Sequence, residues 1–125
     1  MKHLLYVLLV AVFFGGIIVA CSKSSNNGPR TCDVLFVDNQ PVSSNTEVEY
    51  LAGVSASGGT ITSISYLDSL GTKTVTNPSL PWTVTVTLKT GMTPSIDVKG
   101  AANKGGAVNA SFVIDGAQSG SSCSN

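Results

Sequence analysis

The chemistry open to this chain is concentrated in its three cysteines, since 125 residues include a single histidine and only seven carboxylates. Cys21 ends the run Ile18-Val19-Ala20-Cys21, with a branched apolar residue three positions before the cysteine and a small residue directly before it. That is the pattern of a lipobox, and the chemistry it implies is thioether formation. The Cys21 thiol takes a diacylglyceryl group, the peptide bond before it is cut, and the new amino terminus is acylated. Lys2 and His3 supply a short positive start and residues 4–20 are apolar without charge, the layout of a secretory signal. Residues 1–20 are therefore read as a lipoprotein signal peptide and Cys21 as the lipidation site. The competing reading is an uncleaved transmembrane helix, for which this run is at the lower limit of length. One acyl chain holds a protein marginally and two or three hold it stably, so a modified Cys21 is expected to be a lasting anchor.

Cleavage removes His3, the only histidine, and leaves a domain with none. Ser-His-Asp and Cys-His catalytic units are thereby excluded, as are zinc sites that need histidine. Cys32 and Cys123 are the remaining cysteines, and in an exported chain such a pair is expected to form a disulfide. The loop it closes spans most of the domain, for which the chain-entropy model gives about 4 to 5 kcal/mol. Glu47 and Glu49 share a strand face about 7 Å apart, the arrangement of a glycosidase pair, although a solvated or edge-protecting face is the expected role. Asp33, Asp38, Asp97 and Asp115 have no calcium-loop spacing. No cofactor or metal is expected, and the chain is read as non-enzymatic, with a carboxylate-only hydrolase as the weakest alternative. Without Lys2, six basic residues face seven acidic ones, so no basic face is available for nucleic acid.

The elements that must position these residues are strands. Ser22 to Thr31 is dense in Ser, Asn, Gly and Pro and reads as a flexible tether that, as a random coil, holds the domain about 15 to 20 Å from the lipid. Residues 21–31 are thus the lipidated tether and residues 32–125 the folded domain. Val48, Tyr50, Ala52 and Val54 alternate with Glu47, Glu49, Leu51 and Gly53; Trp82, Val84, Val86 and Leu88 alternate with threonines and Lys89; Val108, Ala110, Phe112 and Ile114 alternate with Asn109, Ser111, Val113 and Asp115. Period-two patterns of this kind are half-buried strands. Weaker strands are expected at Cys32 to Val37, Thr60 to Leu67, Thr72 to Thr76 and Ser95 to Ala101. Asp68-Ser69-Leu70-Gly71 and Asp115-Gly116 are hairpin signals, the second joining the Val108 strand to a last one after Gly116. About seven short strands, or eight with that last one, argue an all-β, immunoglobulin-like sandwich, with an up-and-down barrel as the alternative. Trp82 is expected as a core anchor rather than a stacking platform. Ser55 to Gly59, Thr90 to Thr93 and Asn103 to Gly106 are the loops where a binding surface is first sought.

Three segments also carry a family resemblance: Ile64-Ser65-Tyr66-Leu67-Asp68 with Gly71, Leu80-Pro81-Trp82-Thr83-Val84-Thr85-Val86, and Phe112-Val113-Ile114-Asp115-Gly116. In order and spacing they resemble the MmpS-type family of small mycobacterial membrane proteins. Members of that family have one anchor at the amino end and a small immunoglobulin-like β domain outside the membrane, and they assist large exporters of lipids and siderophores; what the resemblance implies for this chain is the fold and an accessory theme, without a transporter partner. The family usually keeps an uncleaved helix where this chain has its lipobox, and it tends to carry a cysteine near the position of Ala110, whereas this chain offers Cys32 instead. What is expected is a lipid-anchored accessory or binding module of the bacterial envelope, with an envelope protein, glycan or lipid as partner. A structural, self-associating component acting through a strand edge is the alternative. Ser22, with no aspartate after the cysteine, favours the outer membrane where two membranes are present.

Overall fold

A computed structural model describes residues 28–125; Cys21 and the signal segment lie outside the described residues. Eight strands make up the fold: β1 (Arg30–Val37), β2 (Thr46–Val54), β3 (Gly59–Asp68), β4 (Gly71–Thr76), β5 (Trp82–Leu88), β6 (Ser95–Ala102), β7 (Ala107–Ile114) and β8 (Ala117–Ser124). They form two antiparallel sheets in the orders β1-β6-β3-β4 and β5-β2-β7-β8. The sandwich, rather than the barrel, is what the alternation produces, and the strand after Gly116 is present. Among the described residues there is no helix, and none long and apolar enough to cross a membrane.

The alternating positions meet between the sheets. Val34, Ile61, Ile64, Ile96 and Val98 of the first sheet face Val48, Tyr50, Val108, Ala110 and Phe112 of the second, all of them buried. Each large apolar side chain removed from water in this way contributes about 1.5 to 3 kcal/mol. Five rings continue the core from one side to the other, Phe36 to Phe112 at 4.9 Å, Phe112 to Tyr50 at 6.1 Å, Tyr50 to Tyr66 at 5.5 Å and Tyr66 to Trp82 at 5.3 Å between centroids. Trp82, at the end of this row, is half-buried and packs against the core. It anchors the rim of the core rather than its centre.

Turns follow their residues. Asp115 and Gly116 both take positive φ, 51° and 78°, the backbone a two-residue type I′ hairpin requires. Asp68 accepts the Leu70 amide through Oδ1 at 2.7 Å and Gly71 takes φ 122°, which closes the β3–β4 hairpin as expected. Strand β3 carries a bulge between Ile61 and Ser63, where Thr62 donates its hydroxyl to the Lys99 carbonyl at 3.0 Å.

Antiparallel register divides the molecule into two ends. At one lie the start of β1, the 55–58, 77–81 and 103–106 connections and Asn125, whose amide donates to the Gly28 and Ala102 carbonyls at 2.8 and 3.0 Å. At the other lie the 38–45 and 89–94 connections and both hairpin turns. The first is the tether-side end, because the chain reaches the sandwich there at Gly28; the second is the far end.

Candidate functional site

Cys32 and Cys123 form a disulfide, with Cα atoms 5.8 Å apart and a separation of 91 positions in sequence. Cys32 is on β1 and Cys123 on β8, the adjacent edges of opposite sheets, so the bond joins first strand to last and one sheet to the other. Arg30 reinforces the same corner by donating to the Ser124 carbonyl at 2.7 Å.

The three loops first sought as binding surfaces do not gather in one place. Ser55–Gly59 and Asn103–Gly106 meet at the tether-side end, where Asn103 N donates to Gly58 O at 3.2 Å, Ser55 N to Ala107 O at 3.0 Å and Gly105 N to Asn125 O at 3.0 Å. Backbone groups there are used up in one another, which leaves a closed surface. Thr90–Thr93 lies at the far end, strapped to the 38–45 connection by Val42 N to Met92 O and Gly91 N to Val42 O, both 2.9 Å.

The far end is concave. Asp38, Asn39, Gln40, Pro41, Val42, Ser43 and Thr46 line a depression of about 420 Å³ whose other wall is Ile114 and Asp115 from the β7–β8 hairpin. Asp38 is partly engaged, its Oδ1 accepting the Asn39 amide at 2.7 Å. Beside this depression the outer face of β1 exposes Leu35 (63%) and Val37 (45%); Leu70 (82%) is exposed at the same end but in the β3–β4 turn, at the opposite edge of the first sheet. Polar groups in a hollow with apolar side chains at its margin suit a contact with another molecule. The 38–45 connection was not among the loops singled out by sequence. Its signal was its length and polarity, Asp38-Asn39-Gln40-Pro41 through Asn45, in a domain whose other connections are shorter.

The two candidate carboxylates, Glu47 and Glu49, do not line the hollow. Glu47 is exposed and Glu49 half-buried on the outer face of β2, where Glu49 Oε1 accepts the Thr83 hydroxyl at 3.3 Å. Among the described residues no group of three or more His, Cys, Asp or Glu could hold a metal ion. Asp33 and Asp97 come together on the outer face of the first sheet, because Asp33 pairs with Lys99 and Leu35 with Asp97 in the β1–β6 register. Oδ1 of Asp97 is buried without a hydrogen-bond partner. Desolvation raises the Asp97 carboxyl above the usual carboxylate range, the adjacent Asp33 carboxyl adds to the shift, and Lys99 opposes it. Burial pushes the Tyr50 phenol up to about 12, which makes it an inert core group at neutral pH.

Two four-stranded antiparallel sheets packed as a sandwich are the fold implied by the motifs around Tyr66, Trp82 and Asp115. The model of the Mycobacterium membrane protein family matches residues 2–119. The chain belongs to that family, the MmpS family. The match takes in nearly the whole sandwich and also the residues before it, so membership does not rest on the β domain alone. As a member of a membrane-protein family the chain is associated with the cell envelope. No curated protein and no solved structure matches it.

Proposed function

We propose that this MmpS-family chain is a lipid-anchored, non-enzymatic accessory module of the bacterial envelope, moored through Cys21 and presenting its far end to an envelope partner. The observation that carries the reading is the division of labour between the two ends. The chain reaches the sandwich at Gly28, while the hollow lined by Asp38 to Ser43 and the exposed Leu35, Val37 and Leu70 lie at or toward the opposite end. The lipobox Ile18-Val19-Ala20-Cys21 supports acylation at Cys21 and removal of residues 1–20, on the outer membrane where the cell has two. Family membership supports the accessory role, and the absence of histidine from the domain supports a binding rather than a chemical task.

The test is site-directed photocrosslinking in intact cells, with the probe at Leu35, at Asn39 and, as control, at Thr85 on the outer face of β5. Adducts to one envelope component from Leu35 and Asn39 but not from Thr85 are expected. Absence of adducts at both far-end positions, or equal adducts at Thr85, overturns the reading. A self-associating role has one observation in its favour: β8 is an edge strand of eight residues without charge or proline, a form of edge that natural sheets commonly protect. A probe at Ser122 that joins two copies of the chain would select that role instead.

A further inference from the structure

Strand β8 has β7 on one side and no strand of its own sheet on the other. Which of its backbone groups are left over follows from the hairpin. A two-residue turn makes Ile114 and Ala117 a hydrogen-bonded pair, and bonded and non-bonded pairs then alternate along the ladder. Odd-numbered residues of β8 therefore turn their N–H and C=O groups toward β7, and even-numbered ones turn theirs to the free edge. The end of the strand keeps the alternation: Asn125 N donates to the Gly106 carbonyl at 3.0 Å, on the β7 side, while the Ser124 carbonyl faces away from β7 and accepts from Arg30 at 2.7 Å. Gln118, Gly120 and Ser122 consequently hold three N–H and three C=O groups that no strand among the described residues satisfies.

Natural sheets blunt such an edge with charge, proline, a bulge or a cover. Three edges of this sandwich show one of these devices: β1 carries Arg30 and Asp33, β4 is short and carries Lys73, and β5 follows Pro81 and is backed by Glu47 and Glu49 on β2. Strand β8 has no charge and no proline, and β7 behind it has no charge either. Two copies brought together at β8 thus meet no like charge within two strands of the junction. The surface there is also low, a shallow depression of about 470 Å³ over Asn109, Ser111, Gln118, Gly120 and Ser122. A strand edge that is neutral, small in side chains and antiparallel to its own copy is self-complementary, which is what a two-fold contact requires.

We propose that two copies of this chain pair through β8 about a two-fold axis at Gly120, which joins their second sheets into one. Gly120 then faces Gly120 of the second copy, and Gln118 faces its Ser122. Each of these three facing pairs exchanges two backbone hydrogen bonds, and the axis falls where neither copy has a side chain. The ladder stops at Ser122, because the Ser124 carbonyl already accepts from Arg30. The same register sets Ser124 opposite Gly116 of the second copy, so that Asp115 of that copy comes beside Arg30, whose guanidinium keeps further N–H donors. The main-chain oxygen of Asn125 is turned toward β7, accepting from Gly105 N at 3.0 Å, and stays clear of the junction.

Antiparallel pairing points the two tether-side ends in opposite directions. In one membrane the pair therefore lies with its strands along the surface: eight residues of strand span about 27 Å, and the nine positions from Cys21 to Arg30 reach at most about 30 Å. The two hollows then face outward at opposite ends of the pair. Pairing goes beyond the far-end reading and does not depend on it. Far-end adducts together with pairing make a paired module, and pairing without far-end adducts is the case in which the self-associating role takes its place.

The test uses full-length chains with two different tags, co-expressed, extracted from the membrane in mild detergent and purified through one tag. Wild type is expected to bring down the other copy. Gln118→Lys with Ser122→Lys sets two like-charge pairs across the axis and is expected to lower recovery by about tenfold. Gln118→Lys with Ser122→Glu sets opposite charges at the same two places and is expected to return recovery to within about twofold of wild type. No second copy with wild type, recovery unchanged in the double-lysine variant, or no return with the charge swap overturns the pairing or its register. A photoprobe at Ser122 of the otherwise wild-type chain decides the matter without any charged variant: an adduct between two copies that maps to Gln118 or its neighbours supports the pairing, and adducts to another molecule alone overturn it. Probes at Leu35 and Asn39 report on the far end separately, so failure of the pairing and failure of the far-end reading are told apart.

Discussion

At the scale of single residues, the pair Asp33 and Asp97 is where the sandwich is electrostatically least comfortable. Two carboxyls share a patch of the outer face, one oxygen of Asp97 is shut off from water without a donor, and Lys99 compensates only in part. A carboxyl whose folded pKa is raised binds its proton more tightly in the native state than in the unfolded chain. The stability this brings is fully present below the unfolded value, about 3.9, and is lost as pH rises through the higher folded value. Ionised Asp97 is consequently a net cost at neutral pH. Asp97→Asn removes that cost and can donate an amide hydrogen to Asp33. The variant is expected to melt at a higher temperature than the wild type at pH about 7, with the gap shrinking toward pH about 3, where both side chains are neutral. Melting curves at the two pH values check it, and an equal or lower midpoint at neutral pH contradicts it. Sequence showed both aspartates but not their meeting. Only the β1–β6 register, in which Asp33 lies opposite Lys99, brings them onto one patch.

At the scale of elements, the β3 bulge is the feature on which the first sheet depends most. The extra residue at Thr62 bends β3 toward β6, and Gly100 is what gives it room. A Cβ built at Gly100 would collide with the Thr60 carbonyl oxygen and lie 2.9 Å from Ile61 Cα, both backbone atoms that cannot swing aside. Gly100→Ala is therefore expected to destabilise the domain by about 3 kcal/mol. Gly53→Ala, on the outer face of β2 with nothing within 4 Å of the added carbon, serves as the control and is expected to be neutral or slightly stabilising. Urea unfolding of both variants is the measurement, and equal midpoints would remove the bulge from this role. The bulge was not legible beforehand, since a glycine in a strand signals a close approach but not which neighbour makes it. The hairpins were legible, because Asp115-Gly116 and Asp68 to Gly71 state their backbone angles in their residue types. So were the strands with clean alternation. The weaker ones were found with ends one or two residues short, as at β1, which starts at Arg30 rather than Cys32. There the inward residues Cys32, Val34 and Phe36 marked the strand, but nothing apolar marked its beginning.

At the scale of the whole molecule, the two sides of the sandwich are closed by different means. On the β4 and β5 side the sheets are held by packing, with Tyr66 against Trp82 and Val75, Val84 and Val86 half-buried. On the β1 and β8 side packing is poor, because β8 is Ala, Gln, Ser and Gly up to Cys123 and is exposed on both faces. The disulfide compensates there, at the corner where the chain enters from the tether. Strand β1 is an edge strand paired only with β6, so any pull from a membrane anchor would act first to peel it away. Cys32, two residues into β1, ties that start to the opposite sheet before the pull reaches the core. Removing the bond releases a loop of 91 residues' separation in the unfolded chain and costs about 2 to 5 kcal/mol. For a domain of this size each 1 kcal/mol shifts the melting midpoint by about 4 to 8 °C, so the double variant Cys32→Ala with Cys123→Ala is expected to melt at least about 8 °C below the oxidised wild type. Wild type treated with a phosphine reductant should move toward the variant, whereas the variant should ignore the reductant. If reduction leaves the midpoint unchanged while mass analysis shows both thiols free, the corner is held by the β1–β6 ladder and Arg30 alone. The poorly packed β8 edge would then have to be stable without any covalent support, against what its residues and exposure indicate.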